Sequence, residues 1–190
     1  MTTHGKYYKL ENLSIMVVDD RKSMRLFITD ILREVGIGKV LNCAGFADAV
    51  KLLDPPEGVE NVAGVDFNLS IDMVIIDWLL GEQESGLDLL KWIRGHKSEL
   101  VKYMPVIVLS GYSERDHILR ARDAGANEFL TKPISITRLL NRVLAVIERP
   151  RPFIASANFF GPERRRANQA IDFPERRKTK ASETTEEPAA

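Results

Sequence analysis

Apolar residues follow two rhythms along this chain. Short runs almost free of polar positions occur at Ser14–Val18 and at residues 40–44, 72–77, 105–110 and 128–132. Runs of that length, apolar on both sides, read as strands buried on both faces of a sheet. Between them the spacing lengthens to that of a helix. Residues 23–35 carry Met24, Phe27, Ile28, Ile31, Leu32 and Val35 on one stripe, ended by Gly36. Residues 47–53 form a shorter stripe, stopped by Pro55 and Pro56. Residues 86–94 place Leu87, Leu89, Leu90 and Ile93 together, residues 114–124 run up to Gly125, and residues 136–147 are amphipathic. Five alternating strand and helix units predict an α/β fold, a doubly wound parallel sheet of five strands. No internal repeat is visible.

What stands at the ends of the strands adds chemistry. Asp19 and Asp20 close the first, Asp77 the third, Ser110 the fourth, and Lys132 followed by Pro133 the fifth. Open α/β sheets bind ligands outside the carboxyl ends of their strands, so these residues are expected in one crevice. Singly each has an ordinary explanation: Asp and Ser after an apolar run form turns and helix caps. Together, three carboxylates, a hydroxyl and an ammonium suggest a divalent cation and a phosphoryl group. A carboxylate attacking phosphorus forms an acyl phosphate, a labile signal. The approaching group is itself anionic, so Mg²⁺ is needed to bridge phosphate and carboxylate oxygens.

Composition limits the alternatives. A chain of 190 residues with 44% hydrophobic content predicts one domain with room for an appendage. No apolar run approaches the ~18 residues of a membrane span, and the first nine residues have no apolar signal centre, so a cytoplasmic protein is expected. Cys43 is the single cysteine, which excludes internal disulfides and thiolate clusters. Net charge is zero, but unevenly spread. Residues 1–148 hold 18 Lys and Arg against 21 Asp and Glu, residues 149–180 hold 9 against 3, and the last ten hold only three Glu. The change falls at Arg149-Pro150-Arg151-Pro152, where the two prolines end any helix. Residues 1–148 are therefore read as the domain, and 149–190 as a basic, aromatic-containing extension with an acidic disordered tail.

An acidic pair after strand one, Asp after strand three, Ser after strand four and Lys-Pro after strand five resemble the receiver domain of two-component response regulators. The likeness covers about residues 12–148, and Asp77-Trp78 and residues 86–90 resemble the chemotaxis-type, single-domain members. The resemblance implies strand order 2-1-3-4-5 (flavodoxin-like) and phosphoryl transfer from a histidine kinase or histidine phosphotransfer protein. It implies Asp77 as phosphoacceptor, and Asp20 as a direct Mg²⁺ ligand beside Asp77. Asp19 would act through a bound water, and the Leu79 carbonyl would complete the set. Lys132 and Ser110 would contact the phosphoryl oxygens, with a cis peptide at Lys132–Pro133. Ser110 and Phe129 would form the switch that reshapes the face of the fourth helix, fifth strand and fifth helix for a downstream protein target.

Three departures from the family stand out. The segment Trp78–Gly86 lacks the usual Met-Pro, is one residue longer, and brings Glu82 and Glu84 toward the site. Residues 54–71 form an insertion longer than an ordinary loop. Ile134 replaces a common Phe after Lys-Pro, a change expected to matter for packing alone. In the extension, Phe153, Phe159, Phe160 and Phe173 alternate with basic clusters. Residues 153–173 read as a peptide that docks on the receiver or a partner, since exposed rings are costly in water. A regulator acting on nucleic acid through this basic tail is the alternative, but no recognition fold accompanies it. A phosphatase with a nucleophilic Asp is weaker, because Leu79 stands where a second Asp is usual. No phosphate-binding Gly-x4-Gly-Lys motif occurs. An enzyme is not expected beyond the phosphoacceptor's own phosphotransfer and autodephosphorylation.

Overall fold

The computed structural model describes residues 9–55, 61–62, 65–66, 71–81, 84–156 and 159–164. The main sheet contains β1 (Ser14–Val18), β2 (Lys39–Cys43), β5 (Met73–Asp77), β6 (Val106–Ser110) and β7 (Glu128–Thr131). They lie in the order β2-β1-β5-β6-β7, every pair parallel, which along the sheet-forming strands is 2-1-3-4-5. The expected fold class holds, with strand ends displaced by one residue at most.

Alternation along each strand builds two cores. Met16, Val18, Val74, Ile76, Val106 and Val108 face one side. There they meet α2 (Phe46–Leu53), α3 (Gly86–Gly95) and α5 (Arg115–Asp123). Ile15, Val17, Met73, Ile75, Ile107 and Leu109 face the other, against α1 (Lys22–Glu34) and α6 (Ile136–Glu148). Cys43 is buried in the first core, and burial pushes its thiol up to about 12, so it stays a neutral packing group. Two glycines end helices in the left-handed region: Gly36 after α1 with φ 89° and Gly125 after α5 with φ 93°. Ser85 and Ser135 cap α3 and α6, each hydroxyl accepting a backbone N–H one turn on, from Asp88 and Arg138.

Three local elements escape the periodicity. A single-turn α4 (Glu99–Lys102) is too short to show a stripe. Within the insertion, β3 (Asn61–Val62) pairs antiparallel with β4 (Val65–Asp66); residues 56–60, 63–64 and 67–70 lie outside the described residues. Beyond α6, β8 (Phe153–Ser156) and β9 (Phe159–Pro162) form an antiparallel hairpin.

The hairpin packs on the receiver through aromatic rings. Phe153 and Phe160 stand 5.0 and 5.1 Å from the Tyr103 ring, edge on. The Arg94 guanidinium lies 5.0 Å over Phe153, and the Lys102 ammonium 4.4 Å over Phe160. Two glycines permit the approach, since a Cβ on Gly161 would lie 2.7 Å from the Gly125 Cα. Arg151 donates to the Asn127 and Glu163 carbonyls, and Arg164 pairs with Asp123 at 3.2 Å. The partners on the receiver sit at the start of β7 and the ends of α3, α4 and α5, the pole of the sheet opposite the strand ends that carry Asp19 and Asp77. Phe159 carries the Arg164 guanidinium 4.0 Å over its ring, and Phe173, the fourth anchor expected from sequence, lies outside the described residues.

Candidate functional site

Strand register assembles the site. Val18 stands beside both Cys43 and Ile76, so the next residues, Asp19 and Asp77, emerge level with each other. Asp77 is opposite Leu109, Ser110 is opposite Thr131, and the Lys132 N–H donates to the Ser110 carbonyl at 2.7 Å. The start of α3 closes on the same point. A Cβ on Gly86 would fall 1.9 Å from the Asp77 carbonyl oxygen, and the Gly86 N–H donates to the Trp78 carbonyl at 2.8 Å. Only glycine admits a helix start this close to the Asp77 backbone.

Asp19, Asp20 and Asp77 converge so that one carboxylate oxygen from each lies within 4.8 Å of the others. Asp19 and Asp77 are buried, whereas the Asp20 side chain is 41% exposed. The Lys132 ammonium sits between the buried pair, 3.0 Å from Asp19 Oδ2 and 2.7 Å from Asp77 Oδ2. Asp77, Lys132 and Leu79 line a cavity of about 440 Å³ that also takes in Asp20, Arg21 and Tyr112. The peptide Lys132–Pro133 is cis.

The Ser110 hydroxyl is fully buried and accepts the Tyr112 N–H at 3.0 Å, a local turn rather than a contact with Asp77. Phe129 is half-buried, its ring edge-on to Trp78 with centroids 6.4 Å apart. Glu84 is committed elsewhere: its Oε2 accepts the Phe46 N–H at the start of α2, where the helix favours negative charge. Glu82 lies outside the described residues.

The two buried carboxyls titrate in opposite directions. Burial works to raise Asp19, but the Arg21 backbone N–H and Lys132 more than offset it, leaving its pKa below the usual value. For Asp77 burial raises the pKa, Lys132 pulls it back, and the Asp19 charge raises it again, so it ends above the usual value. Ionising Asp77 therefore costs stability. Its folded pKa exceeds the unfolded one, so stability falls as pH rises through the window above 3.8. Asp77→Asn removes the charge while keeping the shape. In EDTA at neutral pH it should melt higher than the wild type, by roughly 2–4 °C for each kcal/mol relieved. The gap should close as the pH falls toward the ordinary carboxylate value. Thermal melts at the two pH values decide it, and a lower-melting variant at neutral pH would contradict the charge assignment.

Sequence reasoning missed Arg21. Its guanidinium Nη2 donates to Asp77 Oδ2 at 3.2 Å, and its Nε lies 3.5 Å from Asp19 Oδ1 and 4.0 Å from Asp20 Oδ1. The available signal was simple: a cation immediately after two acids at a strand end. Arg25 was missed as well; it donates to the Asp19 and Asp20 carbonyls at 2.6 and 3.1 Å, fixing the acidic loop. So was an aromatic row in which Tyr112 stacks on His117 at 4.8 Å and His117 meets Trp78 edge-on at 5.0 Å. Spacing alone does not bring residues 78, 112 and 117 together.

The donor set fits a hard divalent cation. Three converging carboxylates offer the oxygens Mg²⁺ prefers and lack the nitrogen or sulfur that softer metals favour. Among the described residues, no helix is long and apolar enough to cross a membrane.

Comparison with known proteins gives the same picture. The family model for the response regulator receiver domain matches residues 15–144. The chemotaxis protein CheY-3 of Vibrio cholerae is 27% identical over 139 residues, spanning 73% of this chain and 95% of that protein. The chemotaxis protein CheY of Pseudomonas aeruginosa is 26% identical over 137 residues, 72% of this chain and 98% of that protein. Among solved structures, a response regulator from Thermotoga maritima superposes with a TM-score of 0.55 at 28% identity, covering 71% of this chain and 97% of its own. With the strand order, the family match and these relatives in agreement, the chain belongs to the response regulator receiver family, the phosphorylation-dependent signalling switches of two-component systems.

Proposed function

We propose that this chain accepts a phosphoryl group on Asp77 from a histidine kinase or a histidine phosphotransfer protein and signals by contact with a downstream protein. The observation that carries the reading is the convergence of Asp77 with Asp19, Asp20 and Lys132 in one open cavity. An Asp77 carboxylate oxygen attacks phosphorus, the bond from phosphorus to the donor histidine nitrogen breaks, and the imidazole leaves with the electron pair. Lys132, already at Asp77, neutralises a phosphoryl oxygen.

Asp20, Asp77 and the Leu79 carbonyl would hold Mg²⁺ directly, with Asp19 acting through a water, and the bound ion would supply the charge neutralisation that lets a dianion approach three carboxylates. The Ser110 hydroxyl, which here accepts the Tyr112 N–H, then turns to donate its own proton to a phosphoryl oxygen, and Phe129 follows. That motion reshapes the surface of α5, β7 and α6, which is the output. Water attack on the acyl phosphate resets the switch, and no other substrate is turned over.

Residues 1–148 form the receiver in this reading, residues 149–190 are an extension, and the setting is the cytoplasm. The nucleic-acid reading gains no support from Arg151 and Arg164, two arginines of the described extension, since both are engaged with protein groups.

The test is incubation with acetyl phosphate followed by intact-mass measurement. The wild type should gain one phosphoryl group in Mg²⁺ and none in EDTA, and Asp77→Asn should gain none. Equal labelling of Asp77→Asn would sink the proposal.

A further inference from the structure

Arg21 sits where no phosphoryl-transfer role requires a cation. The pocket already has Lys132, which is 12% exposed and bonded to both buried carboxylates. Arg21 approaches from the solvent side and is 52% exposed. It touches all three aspartates that converge for a metal, one fork nitrogen on Asp77 and the other edge toward Asp19 and Asp20. Its backbone N–H is bonded to Asp19 Oδ1 at 2.9 Å, which fixes the Cα at the rim and limits how far the side chain can retreat.

We propose that Arg21 is a built-in competitor of the divalent cation, its guanidinium holding the Asp19, Asp20 and Asp77 oxygens until the metal displaces it. The inference rests on the metal site proposed above. Two effects act in the same direction. The ion must break the bond from Arg21 to Asp77, and it must then sit near a positive charge that the chain cannot carry far away. A half-exposed arginine pairs weakly and swings out at modest cost, so the site is tuned rather than blocked. Repulsion between a unit charge and a double charge about 5 Å apart exceeds RT even at the dielectric constant of water. The chain would then be labelled only where the cation is abundant, so Arg21 sets the concentration at which the switch becomes competent.

The arrangement also bears on the two buried acids. With Arg21 and Lys132 in place, three carboxylates face two cations, so most of the negative charge is already balanced before any metal arrives. Removing Arg21 increases the excess negative charge at the rim, where an ion would enter.

Mn²⁺ binding, followed by loss of the free-ion electron paramagnetic resonance signal, tests this without any phosphorylation. Arg21→Ala should bind Mn²⁺ roughly tenfold more tightly than the wild type, and no less than about threefold. Lys22→Ala, which removes an exposed cation one residue away, should change the affinity less than about twofold. A smaller gain for Arg21→Ala, or an equal gain for Lys22→Ala, would overturn the role of Arg21. Melting curves in EDTA establish that each variant is folded. Asp77→Asn separates the two claims: if it binds Mn²⁺ as tightly as the wild type, the metal site itself is wrong. If it loses the ion while Arg21→Ala matches the wild type, only the inference about Arg21 fails.

Discussion

Arg94→Ala will be among the most destabilising single changes in this protein, costing on the order of 4 kcal/mol. Arg94 is 6% exposed and has no carboxylate partner among the described residues. Its guanidinium donates instead to the Gly125 carbonyl at 2.9 Å, to the Lys102 and Met104 carbonyls at 3.0 and 2.8 Å, and to Asn127 Oδ1 at 3.0 Å. Burial lowers its pKa to about 9, which still leaves it charged at neutral pH. One side chain thus ties the end of α3 to α4, to the strand entry at Met104 and to the turn before β7.

Alanine would strand buried backbone acceptors, each worth about 1–3 kcal/mol when left unpaired, though not additively. It would also open a cavity beneath Phe153. With a urea slope of about 2 kcal/mol/M, the midpoint should drop by roughly 2 M. Urea denaturation reads this directly, and a loss below about 1 kcal/mol would show that water replaces the guanidinium at little cost. Hydrogen exchange should also speed up in β8 and β9, because Phe153, a β8 ring that packs on the receiver, has lost its cation.

The second large effect concerns Lys132→Ala. It leaves Asp19 and Asp77 facing each other at 0% and 6% exposure with only the rim arginine as counter-charge. Breaking a buried pair by removing one partner costs about 3–5 kcal/mol, moderated here because Asp77 can take up a proton. The penalty should therefore be largest at neutral pH in EDTA and shrink on acidification. It should also shrink in Mg²⁺, because a cation on the same carboxylates does what the lysine did. If Lys132 serves the phosphoryl group rather than the metal, as proposed above, the variant should still bind the ion but respond poorly to acetyl phosphate. Melting curves with and without Mg²⁺ check the first half and intact mass the second. Complete loss of ion binding would show that Lys132 organises the carboxylates rather than balancing them.

The strands were legible because they are buried on both faces, and Met16 to Val18 or Ile75 to Ile76 leave no polar position to confuse the pattern. Asp19, Asp20, Asp77 and Lys132 were legible because parallel sheets gather the residues that follow their strands. Arg21 was not, since an exposed arginine after a strand looks like any solvated cation until the Asp77 carboxylate is seen 3.2 Å away. Arg94 was hidden for a related reason. It falls on the inward side of α3, where its five N–H groups find backbone carbonyls, and carbonyls leave no trace in a sequence. The hairpin was half legible: the phenylalanines said that something must cover them, but not that residues 153 and 162 would pair.

The docked hairpin bears on modularity. A receiver cut after residue 148, close to where family resemblance ends, would not be the same object as the receiver inside this chain. Tyr103, already 44% exposed, would lose both rings that flank it, and Arg94 would lose the aromatic lid over its guanidinium. Such a fragment would show a sticky aromatic pole far from Asp77 and could associate with copies of itself there. Transplanting the domain as a cassette therefore means carrying it through at least residue 164, since Arg164 still pairs with Asp123 on α5.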